Sequence, residues 1–161
     1  MFYYDLILRK AHKYDLRHLY DLKNEAQSCH HRTAIFNETD QAEWFENLDK
    51  DIYQPKNLLL IGIDPDWSDE YTTGEVGAFF LSNINYINGT SEVTCDIYKK
   101  HRGKKFGNRL MKSGLEFCKD VLGLRKICCE ILEFNAASRK MCENAGFVVE
   151  GIKKKQVRKG D

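Results

Sequence analysis

Ile97-Tyr98-Lys99-Lys100-His101-Arg102-Gly103-Lys104-Lys105-Phe106-Gly107-Asn108-Arg109-Leu110-Met111 reads as a strand end, a basic glycine-containing turn and the start of an amphipathic helix. The first N–H groups of a helix have no carbonyl within the helix to donate to, so they are available to a ligand. A basic turn feeding such an end collects donors suited to phosphate oxygens. The stretch predicts a phosphate-bearing ligand held largely by the main chain.

Working outward, residues 75–83 and 92–98 read as two strands joined through Asn88-Gly89, a strong hairpin signal. After the turn, Gly107, Leu110, Met111, Gly114, Cys118 and Val121 fall on one helical stripe, and Gly123 ends the helix. Residues 126–132 read as a strand, 136–144 as a helix closed by Gly146, and 147–152 as a last strand. Upstream, residues 3–8 read as a first strand. Asp15 then opens a helix with Leu16, Leu19, Leu22 and Ala26 on one face. Thr39 resembles an N-cap leading into a second helix through Trp44, Phe45 and Leu48, and residues 58–63 form a short apolar run. The expected fold is a mixed α/β (α+β) domain on a largely antiparallel sheet, with a βαβ unit in its second half.

The chain of 161 residues is expected to form one domain, 1–161, with room for a real core. At 42% hydrophobic and 30% charged, its class is soluble and globular. No apolar run reaches the length of a membrane span and the N-terminus lacks the form of a signal peptide, so a cytoplasmic location is expected. A formal net charge of +1 gives no reason to expect general nucleic-acid binding. The six cysteines include no Cys-x-x-Cys, which points to free thiols rather than a zinc or disulfide framework. Cys29-His30-His31 lacks further partners for a metal, and no metal site is expected.

With these residues in hand, the chain resembles the GNAT family of acyl-CoA-dependent N-acetyltransferases. The family's pyrophosphate signature is Gln or Arg, two residues, Gly, any residue, then Gly or Ala. Here Arg102-Gly103-Lys104-Lys105-Phe106-Gly107 matches its first and last positions and carries Lys105 in place of the middle glycine. Asn135-Ala136-Ala137-Ser138 looks like the family's start of the fourth helix, and Ala145-Gly146-Phe147 like its closing Gly-Phe. The residues after it, Val148-Val149-Glu150-Gly151, resemble the branch that modifies ribosomal-protein N-termini and amino sugars.

The resemblance implies acetyl-CoA as cosubstrate and an amine-bearing acceptor: a protein N-terminus, an amino sugar or a polyamine. The backbone of Arg102, Gly103, Lys104, Lys105, Phe106, Gly107 and Asn108 would hold the pyrophosphate. A main-chain N–H near Ile97 and Tyr98 would polarise the thioester carbonyl, and Asn135 would hydrogen-bond the pantetheine arm. Glu92 is the first candidate for the base, followed by Asp96 on the same face and then Glu75. Many family members protonate the departing thiolate with a tyrosine, at a place taken here by Cys142. Ser138 is the preferred acid, with Cys142 as the alternative. The acceptor pocket is expected from the two N-terminal helices, with His30, His31, Arg32, Trp44, Phe45 and Tyr98 available.

GNAT folds usually close with a seventh strand, and in related sequences Lys159-Gly160-Asp161 would be the turn into it. That strand is expected to be absent here, and a homodimer completing the sheet is one expectation from the pattern. The second functional reading is a GNAT-fold binding or assembly module with weak or no catalysis, favoured by Lys105, Cys142 and the lack of a seventh strand.

Overall fold

The computed structural model describes residues 1–25, 37–48, 51, 53–67, 74–157. Two short strands, β1 (Phe2–Tyr3) and β2 (Ile7–Lys10), open the chain as a hairpin, in place of the single strand expected over residues 3–8. Helices α1 (Leu16–Glu25) and α2 (Glu38–Glu46) follow. Next come β3 (Leu58–Ile63), β4 (Glu75–Asn85), β5 (Thr90–Ile97), α3 (Phe106–Asp120), β6 (Lys126–Cys128) and α4 (Ala136–Asn144).

The six strands lie in one sheet in sequence order. Every pair is antiparallel except β5 and β6, which α3 connects as the expected βαβ unit. Strand alternation splits the sheet's side chains between two helical layers. Leu60, Phe79, Leu81 and Val93 pack with Phe106, Leu110, Met111 and Phe117 of α3. Leu59, Ile61, Ala78 and Tyr98 pack on the other side with Leu19, Leu22, Trp44 and Phe45 of α1 and α2. α3 sits very close to the sheet. A Cβ on Gly114 would lie 2.3 Å from the Phe79 ring, so only glycine fits there.

Several boundaries move from their expected places for local reasons. Asp15 lies in a short 3-10 turn, where its carboxylate accepts from the His12 N–H and pairs with Arg9. The N-cap of α2 is Asn37, whose Oδ1 accepts from Asp40 N–H at 2.8 Å; Thr39 lies inside the helix. Val121 is 46% exposed because Gly123, at φ +64°, already turns the chain away. β6 covers only three of the seven residues expected over 126–132.

Residues 147–152 are not a strand. Ion pairs from Lys126 to Glu150 and from Lys153 to Glu130 tie this segment alongside β6 by side chains rather than by a ladder. The expected turn at Lys159-Gly160-Asp161 lies outside the described residues, as do Cys29, His30, His31 and Arg32. Among the described residues, no helix is long and apolar enough to cross a membrane, and Cys95, Cys118, Cys128, Cys129 and Cys142 are free.

Candidate active site

β5 is laddered to β4 as far as Ile97, but to β6 only through Thr90, Ser91 and Glu92. Beyond Glu92 the parallel strands part and leave a gap beside the second half of β5. The Tyr98 N–H donates to Val76 O at 3.1 Å, toward β4. Because main-chain groups alternate sides along a strand, the N–H and C=O of Ile97 face the gap. The Ile97 carbonyl there accepts from Arg102 Nε at 3.0 Å.

The N-terminus of α3 meets the same gap. Asn108 and Arg109 both donate to Lys105 O, and no backbone carbonyl among the described residues accepts from the N–H groups of residues 103–107. Lys105 caps the helix without a side-chain bond, at φ +66°. Gly103 also has positive φ, +75°, and nothing lies within 4 Å of where its Cβ would be. A Cβ on Gly107 would lie 3.0 Å from Met141 Sδ and 3.6 Å from Ile97 Cγ1, so α3, α4 and β5 converge at that glycine.

The loop is anchored from behind by residues that the sequence reading did not single out. Arg109 pairs with Asp64 at 2.5 Å and Asp5 at 3.1 Å, which ties the first turn of α3 to the chain after β3 and to the β1–β2 turn. His101 is 2% exposed, between the rings of Trp67 at 5.8 Å and Phe106 at 5.3 Å. Burial, and then the positive charges of Lys100 and Lys104, push its pKa down. Only Trp67, distant in sequence, reveals that this histidine is core rather than part of the basic surface of the turn.

On the α4 side, Asn135 is the N-cap, its Oδ1 accepting from Ser138 N–H at 3.2 Å, and both residues are half-buried. Cys142 is buried in the core. Its thiol lies 3.6 Å from Cys129 Sγ and is pushed up, first by that hydrogen bond and then by burial. Outside the gap, α3 and α4 border a groove of about 620 Å³ lined by Asn108, Lys112, Leu115, Glu116, Asn144 and Ala145.

The even-numbered residues of β5 face the α1/α2 side. Glu92 and Thr94 are exposed there, Asp96 is half-buried, and Tyr98 packs into the core. Trp44 stands edge-on to Phe80, the neighbour of Thr94 on β4. Glu75 is bound to Arg9, which also grips Asp15 at 2.7 and 2.8 Å. The structure thus puts Glu92 and Asp96 on one face of β5. Ser138 and Cys142 lie on α4, beyond the gap. Phe106 is buried, so its ring belongs to the core rather than to the surface of the turn, and the Tyr98 N–H is already taken by Val76.

A family model described as an acetyltransferase (GNAT) domain matches residues 5–148. Spermidine N-acetyltransferase from Vibrio cholerae, solved with CoA and spermine, superposes with a TM-score of 0.77 at 27% identity, over 91% of this chain and 83% of that one. Mutant forms of the spermidine/spermine N-acetyltransferase SpeG from the same organism superpose at 0.72 and 25% identity, over 91% and 81%. A chimera of that enzyme with hSSAT superposes at 0.78 and 24% identity, over 92% and 83%, a likeness of fold. No curated protein matches the chain. The chain belongs to the GNAT acetyltransferase family.

Proposed function

We propose that this GNAT-family chain transfers an acetyl group from acetyl-CoA to a primary amine of a small cationic acceptor of the polyamine class. The observation that carries the reading is the parting of β5 from β6 after Glu92. It opens beside a helix N-terminus whose N–H groups have no backbone acceptor, with the Ile97 main chain facing in. The solved relatives at 25% and 27% identity, which are spermidine or spermidine/spermine N-acetyltransferases, support the acceptor class. So do the carboxylates of Glu92 and Asp96 on the α1/α2 face of β5, which suit a cation.

Acetyl-CoA supplies the acetyl group activated as a thioester. The N–H groups of residues 103–107 and the partial positive end of α3 take the pyrophosphate oxygens, with Lys104 and Lys105 adding charge. The groove along Asn108 and Lys112 receives the nucleotide end. Asn135, whose Oδ1 is engaged by Ser138 N–H, offers its Nδ2 to the pantetheine arm. The Ile97 N–H polarises the thioester carbonyl as negative charge develops on its oxygen. Glu92 takes the proton from the attacking amine, directly or through water, with Asp96 drawing in the cation. Ser138 returns a proton to the leaving sulfur. Cys142 is a poor donor for that step, being buried with its pKa raised.

Calorimetry with acetyl-CoA on the wild-type chain and on Gly107→Trp tests the donor site, and acetylation of spermidine, an amino sugar and a protein N-terminal peptide tests the acceptor. Binding lost in Gly107→Trp together with turnover on spermidine is the expected result. No binding by the wild-type chain overturns the donor site. Binding without turnover on any amine favours the non-catalytic module, which Cys142 in the tyrosine's place would explain.

A further inference from the structure

Cys129 and Cys142 are placed for a chemistry that acetyl transfer does not use. Cys129 directly follows β6, Cys142 lies in the last turns of α4, and their sulfurs are 3.6 Å apart. A disulfide needs about 2.05 Å, so the bond requires a closure of only about 1.5 Å. The two thiols also differ in character. The hydrogen bond between the two sulfurs lowers the pKa of Cys129, outweighing its burial, whereas Cys142 is pushed up. Cys129 is half-buried, the more exposed of the pair, whereas Cys142 is 4% exposed. Other described cysteines lack this arrangement. Burial pushes Cys118 up to about 12 and raises Cys95, and Cys128 points to the opposite face from its neighbour.

We propose that Cys129 and Cys142 form a peroxide-sensitive dithiol, with Cys129 as the thiol oxidised first and Cys142 as the resolving thiol. The Cys129 thiolate attacks one oxygen of hydrogen peroxide, the O–O bond breaks, and hydroxide leaves, giving a sulfenic acid on Cys129. The Cys142 sulfur then attacks the Cys129 sulfur, the S–OH bond breaks, and the hydroxyl departs as water with the Cys142 proton. Two thiols are oxidised and one peroxide is reduced to two waters. A dithiol reductant reverses the change.

The new bond would draw α4 toward the end of β6. α4 carries Met141, which packs against Gly107 of the phosphate loop, and begins at Asn135 beside the gap. Closing this contact narrows the donor site, a consequence that rests on the acetyl-CoA reading above. The disulfide itself does not rest on it.

The test is stoichiometric hydrogen peroxide on the reduced chain, followed by intact mass and tryptic mapping. The expected product loses two hydrogens and links peptide 127–139 to peptide 141–153. It forms equally in Cys128→Ser, fails in Cys129→Ser, and reverts with dithiothreitol. Linkage through Cys128, a link between two chains, or oxidation that stops at a sulfenic acid on wild type overturns the proposal. Acetyl-CoA affinity, measured on oxidised and reduced wild type, is expected to fall about tenfold on oxidation, a loss of about 1.4 kcal/mol. Disulfide formation with unchanged affinity overturns the regulatory consequence alone. Absence of acetyl-CoA binding by the reduced chain counts instead against the donor-site reading.

Discussion

Arg9 holds the carboxylate of Glu75 and, with its other hydrogen bonds, the carboxylate of Asp15, so Glu75 is part of a structural clasp joining β2, β4 and the start of α1. The clasp lies beside a bulge. Gly62 is paired with Gly77 and Ile63 with Glu75, so Val76 is the extra residue. That geometry separates two glutamates that stand alike at strand starts in the sequence.

Glu92→Gln should therefore lower kcat by about 100-fold or more, the usual range for losing a general base, without moving the unfolding midpoint. Glu75→Gln should do the opposite, costing about 1 kcal/mol in urea unfolding because Arg9 is left partly unpaired. The partial exposure of Arg9 keeps that cost modest. Equal losses of kcat in the two variants would contradict the assignment.

Lys105 sits at φ +66°, where a side chain is strained and glycine is not. Lys105→Gly should raise stability by about 1 kcal/mol. Chemical denaturation of the two chains in high salt, where the lost charge counts least, reads this directly.

Ser138→Ala should reduce kcat more than the binding of acetyl-CoA, since its hydroxyl is assigned to the leaving sulfur. Cys142→Ala should instead cost about 1 kcal/mol of stability through the small cavity left in the core, with kcat little changed. The reverse pattern would move the acid to Cys142.

His101 is buried with a lowered pKa, so the unfolded chain binds a proton near the ordinary value of 6.5 while the folded chain still resists it. Stability contributed by the neutral imidazole is thus present above 6.5 and declines as pH falls below it. Lys100 and Lys104 add to the resistance, while the charge of Asp64 opposes it. His101→Phe should flatten the pH dependence of the melting temperature between pH 7 and 5. An unchanged slope would show that other groups govern it.

Gly114→Ala should destabilise by about 2 kcal/mol or more, because the added methyl meets the Phe79 ring and neither α3 nor the sheet can withdraw cheaply. Phe79→Leu should recover part of the loss in the double variant, which thermal melts of the four chains would reveal.

Local chemistry alone determined much of this protein. Hydrophobic period placed α3 and the central strands, Asn88-Gly89 placed the hairpin, and the basic turn marked the N-terminus of α3, whose first N–H groups find no backbone acceptor among the described residues. Each of these depends on residues within a few positions of one another, which a sequence displays directly. The short length of β6, the ion-paired segment 147–152 and the bulge at Val76 depend on what lies beside them, and no period encodes that. Tertiary structure also decided the roles of like residues. It clasped Glu75 with Arg9 and left Glu92 exposed, buried His101 against Trp67, and set the sulfur of Cys142 beside that of Cys129. Charge state and reactivity follow from burial and partners, and the partners come from distant parts of the chain.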